Sequence, residues 1–213
     1  LVQSRVHIPD EYSTFLRVVG VHPLTAIPVA VATENGRVKF QKWFEGEISK
    51  IPVEGRLRTY FPREGTFLDP GQIARIVAGS KDPFLKAPWP ERTDLEKLAR
   101  AFAPVIIQDA AKPFDAIGKA AWKGDQIEIL PEQPAVYYYF SHAFLNGKPI
   151  LQIQYVVWYG ARSGENPPWF ERGHLDGLTI RFSLDSQGKL FMVDMMNNCG
   201  CYHLFSPDRA RVN

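Results

Sequence analysis

From Pro134 onward the hydrophobic positions recur with the two-residue period of a strand. Ala135 to Leu145, the dipeptide Asn146-Gly147 and Lys148 to Tyr159 carry the signal of a hairpin, because Tyr, Val and Ile alternate along both arms and Asn-Gly tolerates the positive φ of a type I′ turn. Leu178 to Leu184, the turn Asp185-Ser186-Gln187-Gly188 and Lys189 to Met196 repeat the pattern, with Gly188 suited to the left-handed position of a type I turn plus bulge. Upstream, the period is less regular. Asp10 to Val19 reads as a short amphipathic helix, and Ile27 to Thr33, Glu34-Asn35-Gly36 and Arg37 to Phe44 read as an N-terminal hairpin. Asp69-Pro70 followed by Gln72 to Val77 and Gly79 supplies an N-cap, a proline at the first helical position and a terminal glycine. Thr93-Asp94-Leu95-Glu96 has the capping-box spacing of a second helix, which runs to about Phe102 and which Pro104 ends.

These elements predict an α+β fold: a curved antiparallel sheet built largely from the C-terminal half (two hairpins, 135–159 and 178–205), with two or three short helices and the N-terminal hairpin packed against it. Length permits one domain over 1–213. The connection Lys81 to Arg92, with Pro83, Pro88 and Pro90, is where a finer division into an N-terminal subdomain 1–90 and a sheet-rich core 91–213 would fall. With 45% hydrophobic and 23% charged residues the chain has the composition of an average globular protein, and 25 basic against 23 acidic residues leave too little charge for a sequence-independent grip on nucleic acid. No run approaches the ~20 apolar residues of a membrane-spanning helix. The chain opens LVQSRVHIPD, with neither an initiator Met nor the series of a signal peptide. This reads as a processed or trimmed product and favours the cell envelope or periplasm over the cytoplasm.

Turn chemistry also fixes which side chains can meet. A two-residue Asn146-Gly147 turn pairs Leu145 with Lys148 and sets His142 opposite Leu151, as a core histidine satisfied by one hydrogen bond. In the second hairpin, pairing Asp185 with Lys189 sets Phe182 opposite Met192, Leu178 opposite Met196 and, extended outward, Leu175 opposite Cys199. His174 and Asp176 then lie beside Asn198-Cys199-Gly200-Cys201, with His203 one pleat further on the Cys199 and Cys201 face. His174 and Asp176 fall on the other face, and Gly177 and Gly200 are the positions at which a bulge or close backbone approach would re-aim them.

All five sulfur atoms of the chain, in Met192, Met195, Met196, Cys199 and Cys201, fall within ten residues. Met192 and Met196 alternate with the inward face and read as core filler. Thiolate and imidazole from His174, Cys199, Cys201 and His203 form a ligand set that suits Zn or Cu, although Cys-x-Cys-x-His lacks the two separated ligand pairs of a structural zinc site. The same residues supply a rival chemistry, in which Cys199 or Cys201 is the nucleophile, a histidine holds the thiolate and Asp176 orients the ring. A Cys-Gly-Cys disulfide would close a strained, easily reduced ring. His174-x-Asp176 with His203 also has the ligand types of a two-histidine, one-carboxylate Fe(II) site, but one hairpin consumes the sequence between them. Glu165 and Glu171 around Trp169 read as a solvated loop with an anchoring Trp. No phosphate loop, dinucleotide fingerprint, His-Glu-x-x-His or Gly-x-Ser-x-Gly occurs. The sequence therefore favours a domain that binds a small molecule or protein partner through its loops, and carries as the alternative a metal- or thiol-dependent hydrolase using His174, Asp176, Cys199, Cys201 and His203.

Overall fold

A computed structural model describes residues 22–45, 47–79, 81–84, 86–162, 173–200, 202–208 and 210. The helix expected at Asp10 to Val19, the loop residues Glu165, Trp169 and Glu171, and Cys201 lie outside the described residues. The chain divides into two compact units, Leu1–Pro52 and Val53–Asn213.

In the first unit the expected hairpin over 27–44 is instead a helix, α1 (His22–Glu45), followed by a single 3-10 turn at Ile48–Lys50. A lone two-stranded ribbon is marginal in water, whereas a helix satisfies its backbone locally. Local side-chain contacts follow the helical period: Thr33 Oγ1 donates to the Val29 carbonyl (2.8 Å), and Arg37 grips the Glu34 carboxylate across Asn35-Gly36. That bond holds the Glu34 carboxyl below its ordinary range.

The second unit has the expected α+β architecture, with two α-helices and three antiparallel sheets among its described residues. Helix α2 (Pro70–Gly79) opens with a reciprocal cap in which the Gln72 amide donates to Asp69 Oδ1 and the Asp69 amide to Gln72 Oε1, both at 2.9 Å. Helix α3 (Arg92–Ala101) begins one residue before Thr93, because extended Glu91 accepts from the amides of both Asp94 and Leu95 with its carbonyl. Thr93 therefore lies inside the first turn, without the capping role its spacing suggests. Strand β1 (Arg56–Tyr60) pairs with β2 (Ile106–Ala110), and β3 (Lys119–Lys123) with β4 (Gln126–Leu130). The main sheet has the order β5 (Tyr137–Leu145), β6 (Lys148–Tyr159), β7 (Asp176–Leu184), β8 (Leu190–Asn197) and β9 (Leu204–Pro207). Alternate residues Leu151, Ile153 and Tyr155 of β6 and Ile180 and Leu184 of β7 meet Val77 of α2 and Leu98 of α3 in a buried core, so both helices cover one face of this sheet.

Both hairpin turns form as expected. Asn146 and Gly147 take φ of 51° and 71°, and Leu145 pairs with Lys148 and His142 with Leu151. At the second turn the Asp185 carboxylate accepts from the amides of Gln187 and Lys189, and Gly188 takes φ +75°. A side chain there would also collide with Ile73 of α2, which makes glycine a double requirement.

The register beyond this turn differs from the expected one. Leu184 pairs with Leu190, yet Ser183 pairs with Met192, so Phe191 is an extra residue on β8 and every later pair is displaced by one. Phe182 faces Val193 rather than Met192, and Leu178 faces Asn197 rather than Met196. A one-residue slip reverses the faces. Val193 and Met195 thus pack on the helical core, and Met192 and Met196 lie on the opposite face rather than filling it.

Candidate functional site

The slip changes the pairing on which the expected cluster was built. Pairing continues one residue past Leu178 and Asn197, where the Asn198 amide donates to the Gly177 carbonyl (2.9 Å), and the Gly200 amide then donates to the Asn197 carbonyl in a turn (2.7 Å); in this shifted register Leu175 is not the partner of Cys199. On its other edge β7 pairs Asp176 with Tyr159 of β6, and Asp176 Oδ1 accepts from the Gly177 amide. His174 and Cys199 are exposed. Gly177 does admit the close approach expected of it: a Cβ there would meet the Asn198 side chain, which accepts from Thr179 Oγ1 (2.7 Å) and donates to the Val157 carbonyl. Among the described residues no three His, Cys, Asp or Glu side chains come together as a metal site. His142 makes the single bond expected of it: its Nε2 lies 2.6 Å from the Pro88 carbonyl, and its ring stacks on Trp89.

His203 enters a different constellation. After the turn the chain reverses into β9, which places His203 beside Asp194, with Nε2 3.1 Å from Oδ1. Arg181, directly opposite Asp194 on β7, holds the same carboxylate through Nε at 3.1 Å and Nη2 at 3.0 Å. Asp194 is only 4% exposed, and the bidentate guanidinium compensates for its burial. This pair belongs to a polar row that crosses the sheet from Tyr139 through Gln154, Arg181 and Asp194 to Phe205. The next row, Ser141, Gln152 and Ser183, is also hydrogen-bonded: Gln152 donates to Ser183 Oγ (3.0 Å) and Ser141 donates to Gln152 Oε1 (3.2 Å). The face away from the helices is therefore a ladder of satisfied polar side chains.

On the helical side lies an open groove of about 1080 Å³. It runs between the chain leaving β1 (59–64), the end of α3 and the residues after it (99–104), and the approach to β5 (132–136), with Ile117, Lys119, Tyr138 and Tyr155 completing its lining. Four aromatic rings, Tyr60, Phe61, Tyr138 and Tyr155, and three prolines, Pro62, Pro104 and Pro134, give it an apolar surface. Two of the rings are pinned: Tyr155 donates to the Ala99 carbonyl (2.7 Å), and Tyr60 Oη accepts from the Ile117 amide (3.2 Å). Arg63, Arg100 and Lys119 against Glu64 and Glu132 leave one excess positive charge, and Arg100 is paired with Glu64. Burial, with Tyr138 nearby, pushes the Tyr155 phenol far above its ordinary value. Burial does the same at Tyr159, reinforced by Tyr60, Asp176 and Asp115. Aromatic content and proline positions were the sequence signals available for this groove, but its walls come from five separated segments that only the fold assembles.

Comparison with family models, with curated proteins and with solved structures returns no match to this chain. The groove and the polar row are therefore read on their own chemistry.

Two consequences are measurable. Asp194→Asn leaves the largely buried Arg181 uncompensated and is expected to lower stability by about 3 kcal/mol in denaturant unfolding, whereas Asp194→Leu with Arg181→Met recovers most of the loss. Equal losses in the two variants would mean that the pair contributes only packing. For the tyrosines, a raised folded-state pKa means the folded protein holds its phenolic protons more tightly, so their contribution is complete below pH ~10 and is lost as pH rises above it. Ultraviolet titration should show Tyr155 and Tyr159, of eight tyrosines, ionising only as the protein unfolds; all eight titrating in the folded state near pH 10 would contradict their burial.

Proposed function

We propose that this protein is a binding domain whose groove receives an extended peptide segment rich in proline and apolar side chains, presented by a protein partner. The observation that carries this reading is the groove's preformed aromatic lining. Tyr60 is held by the Ile117 amide, and Tyr155, buried beneath the groove, ties β6 to the Ala99 carbonyl, so the wall is fixed before a ligand arrives, which lowers the ordering cost of binding. A volume of about 1080 Å³ is at the upper limit of small-molecule pockets and accommodates several residues of an extended chain. Aromatic-lined grooves suit polyproline II segments, whose low conformational entropy and open backbone match a surface of rings and prolines. Phe61, 73% exposed at the groove, is the natural anchor for an incoming apolar side chain.

A second reading, a metal- or thiol-dependent hydrolase, is favoured by one observation. Asp194 orients the imidazole of His203, as a catalytic histidine requires, and Cys199 lies on the turn that connects β8 to β9. Arg181 weakens this reading, because it already satisfies the carboxylate and accounts for the pair as structure.

The test is selection of random 12-residue peptides displayed on phage against the whole protein, followed by titration of the recovered peptides. The groove reading expects proline and aromatic enrichment and at least about tenfold weaker binding to Phe61→Ala, with Trp122→Ala, a comparably exposed ring outside the groove, unchanged. Peptides without that bias, or binding indifferent to Phe61, would contradict it.

A further inference from the structure

Strand β5 borders the five-stranded sheet, and among the described residues its outer edge makes no backbone hydrogen bond to another strand. Soluble proteins ordinarily blunt such an edge with a charge, a proline, a bulge or brevity. The opposite edge follows this rule, since β9 is four residues long and ends at Pro207. Strand β5 does not. It runs nine residues in unbroken register, and its sequence YYYFSHAFL has no Asp, Glu, Lys, Arg or Pro. Every other described strand of five or more residues carries at least one charged side chain. Five of the nine side chains, Tyr137, Tyr138, Tyr139, Phe144 and Leu145, are between 38% and 65% exposed.

We infer that the edge of β5 pairs antiparallel with β5 of a second copy of this chain, about a two-fold axis at Ser141. That register sets Tyr137 against Leu145, Tyr138 against Phe144, Tyr139 against Ala143 and Phe140 against His142. Tyr138 on Phe144 is aromatic on aromatic, Tyr137 on Leu145 and Tyr139 on Ala143 are aromatic on apolar, Phe140 meets the His142 ring and Ser141 meets its own copy, and no Asp, Glu, Lys or Arg enters the ladder. The described strands of the two smaller sheets carry Arg56, Arg58, Asp109, Lys119, Lys123 or Glu128, and each would bring an unmatched charge to this neutral edge. A second β5 is the neutral partner the chain itself supplies. The pairing is isologous, so among the described strands of the main sheet it consumes both long edges and leaves the short, proline-ended β9 edges outside, which closes that sheet at ten strands.

Sedimentation equilibrium over a concentration series should fit a monomer–dimer equilibrium. Two double variants test the register: Tyr138→Lys with Phe144→Lys puts like charges opposite each other across the axis, whereas Tyr138→Lys with Phe144→Glu puts opposite charges there. The monomers differ only at the exposed residue 144. Association of the lysine–lysine variant is expected to be at least about tenfold weaker than that of the lysine–glutamate variant, with equal melting temperatures showing that both fold. A protein that stays monomeric at every concentration, or two variants that associate alike, would overturn the inference.

Discussion

Strand β8 holds one residue more than the partner stretch of β7, and that residue, Phe191, determines what every side chain after it faces. With the insertion, Val193 and Met195 turn toward the helices and Asp194 arrives opposite Arg181. In the uninterrupted register, Asp194 would oppose Ile180 on the apolar face, where an ionised carboxylate without a partner costs several kcal/mol. The bulge has its own support, because the Phe191 side chain is buried and its carbonyl accepts from the Asp208 amide at 2.8 Å. One inserted residue therefore separates a workable sheet from one with a charge in its core.

The same insertion brings β8 into line with the two faces that β5, β6 and β7 already present. One is apolar and carries α2 and α3 through Val77 and Leu98. The other is a hydrogen-bonded ladder in which Gln152 and Gln154, both buried, reach residues opposite them on neighbouring strands. Such a ladder specifies register more sharply than apolar packing does, since a slip by one residue leaves buried amides without partners. The groove depends on this rigidity only indirectly: Tyr155 projects from the apolar side of β6, and the hydrogen bond to Ala99 ties the sheet to the end of α3 at the groove wall.

How much of this was legible follows the range of the forces involved. Asn146-Gly147, Gly188 and the Asp69-Gln72 cap act within a few residues, and their turns and helix form where their chemistry predicts. The Asn35-Gly36 pair misled because a turn dipeptide makes a hairpin only when its arms gain something by pairing; here the helical contacts of Glu34 and Arg37 prevail. The bulge was hidden by composition. Leu190 to Met196 is apolar at every position except Asp194, so alternation cannot choose a face. Asp194 itself held the answer, since only the shifted register gives it Arg181. The expected pairing of Leu175 with Cys199 relied on extending an unshifted ladder, whereas the shifted strands stay bonded through Asn198 and Gly177 before the chain turns over Asn197 to Gly200.

The one-residue shift of β8 at Phe191 can be read from nuclear Overhauser contacts between the backbone protons of β7 and β8. Cross-strand contacts are expected from Phe182 to Val193 and from Ile180 to Met195. Contacts from Phe182 to Met192 and from Ile180 to Asp194 would show an uninterrupted ladder and would contradict the division of faces on which the structure is explained.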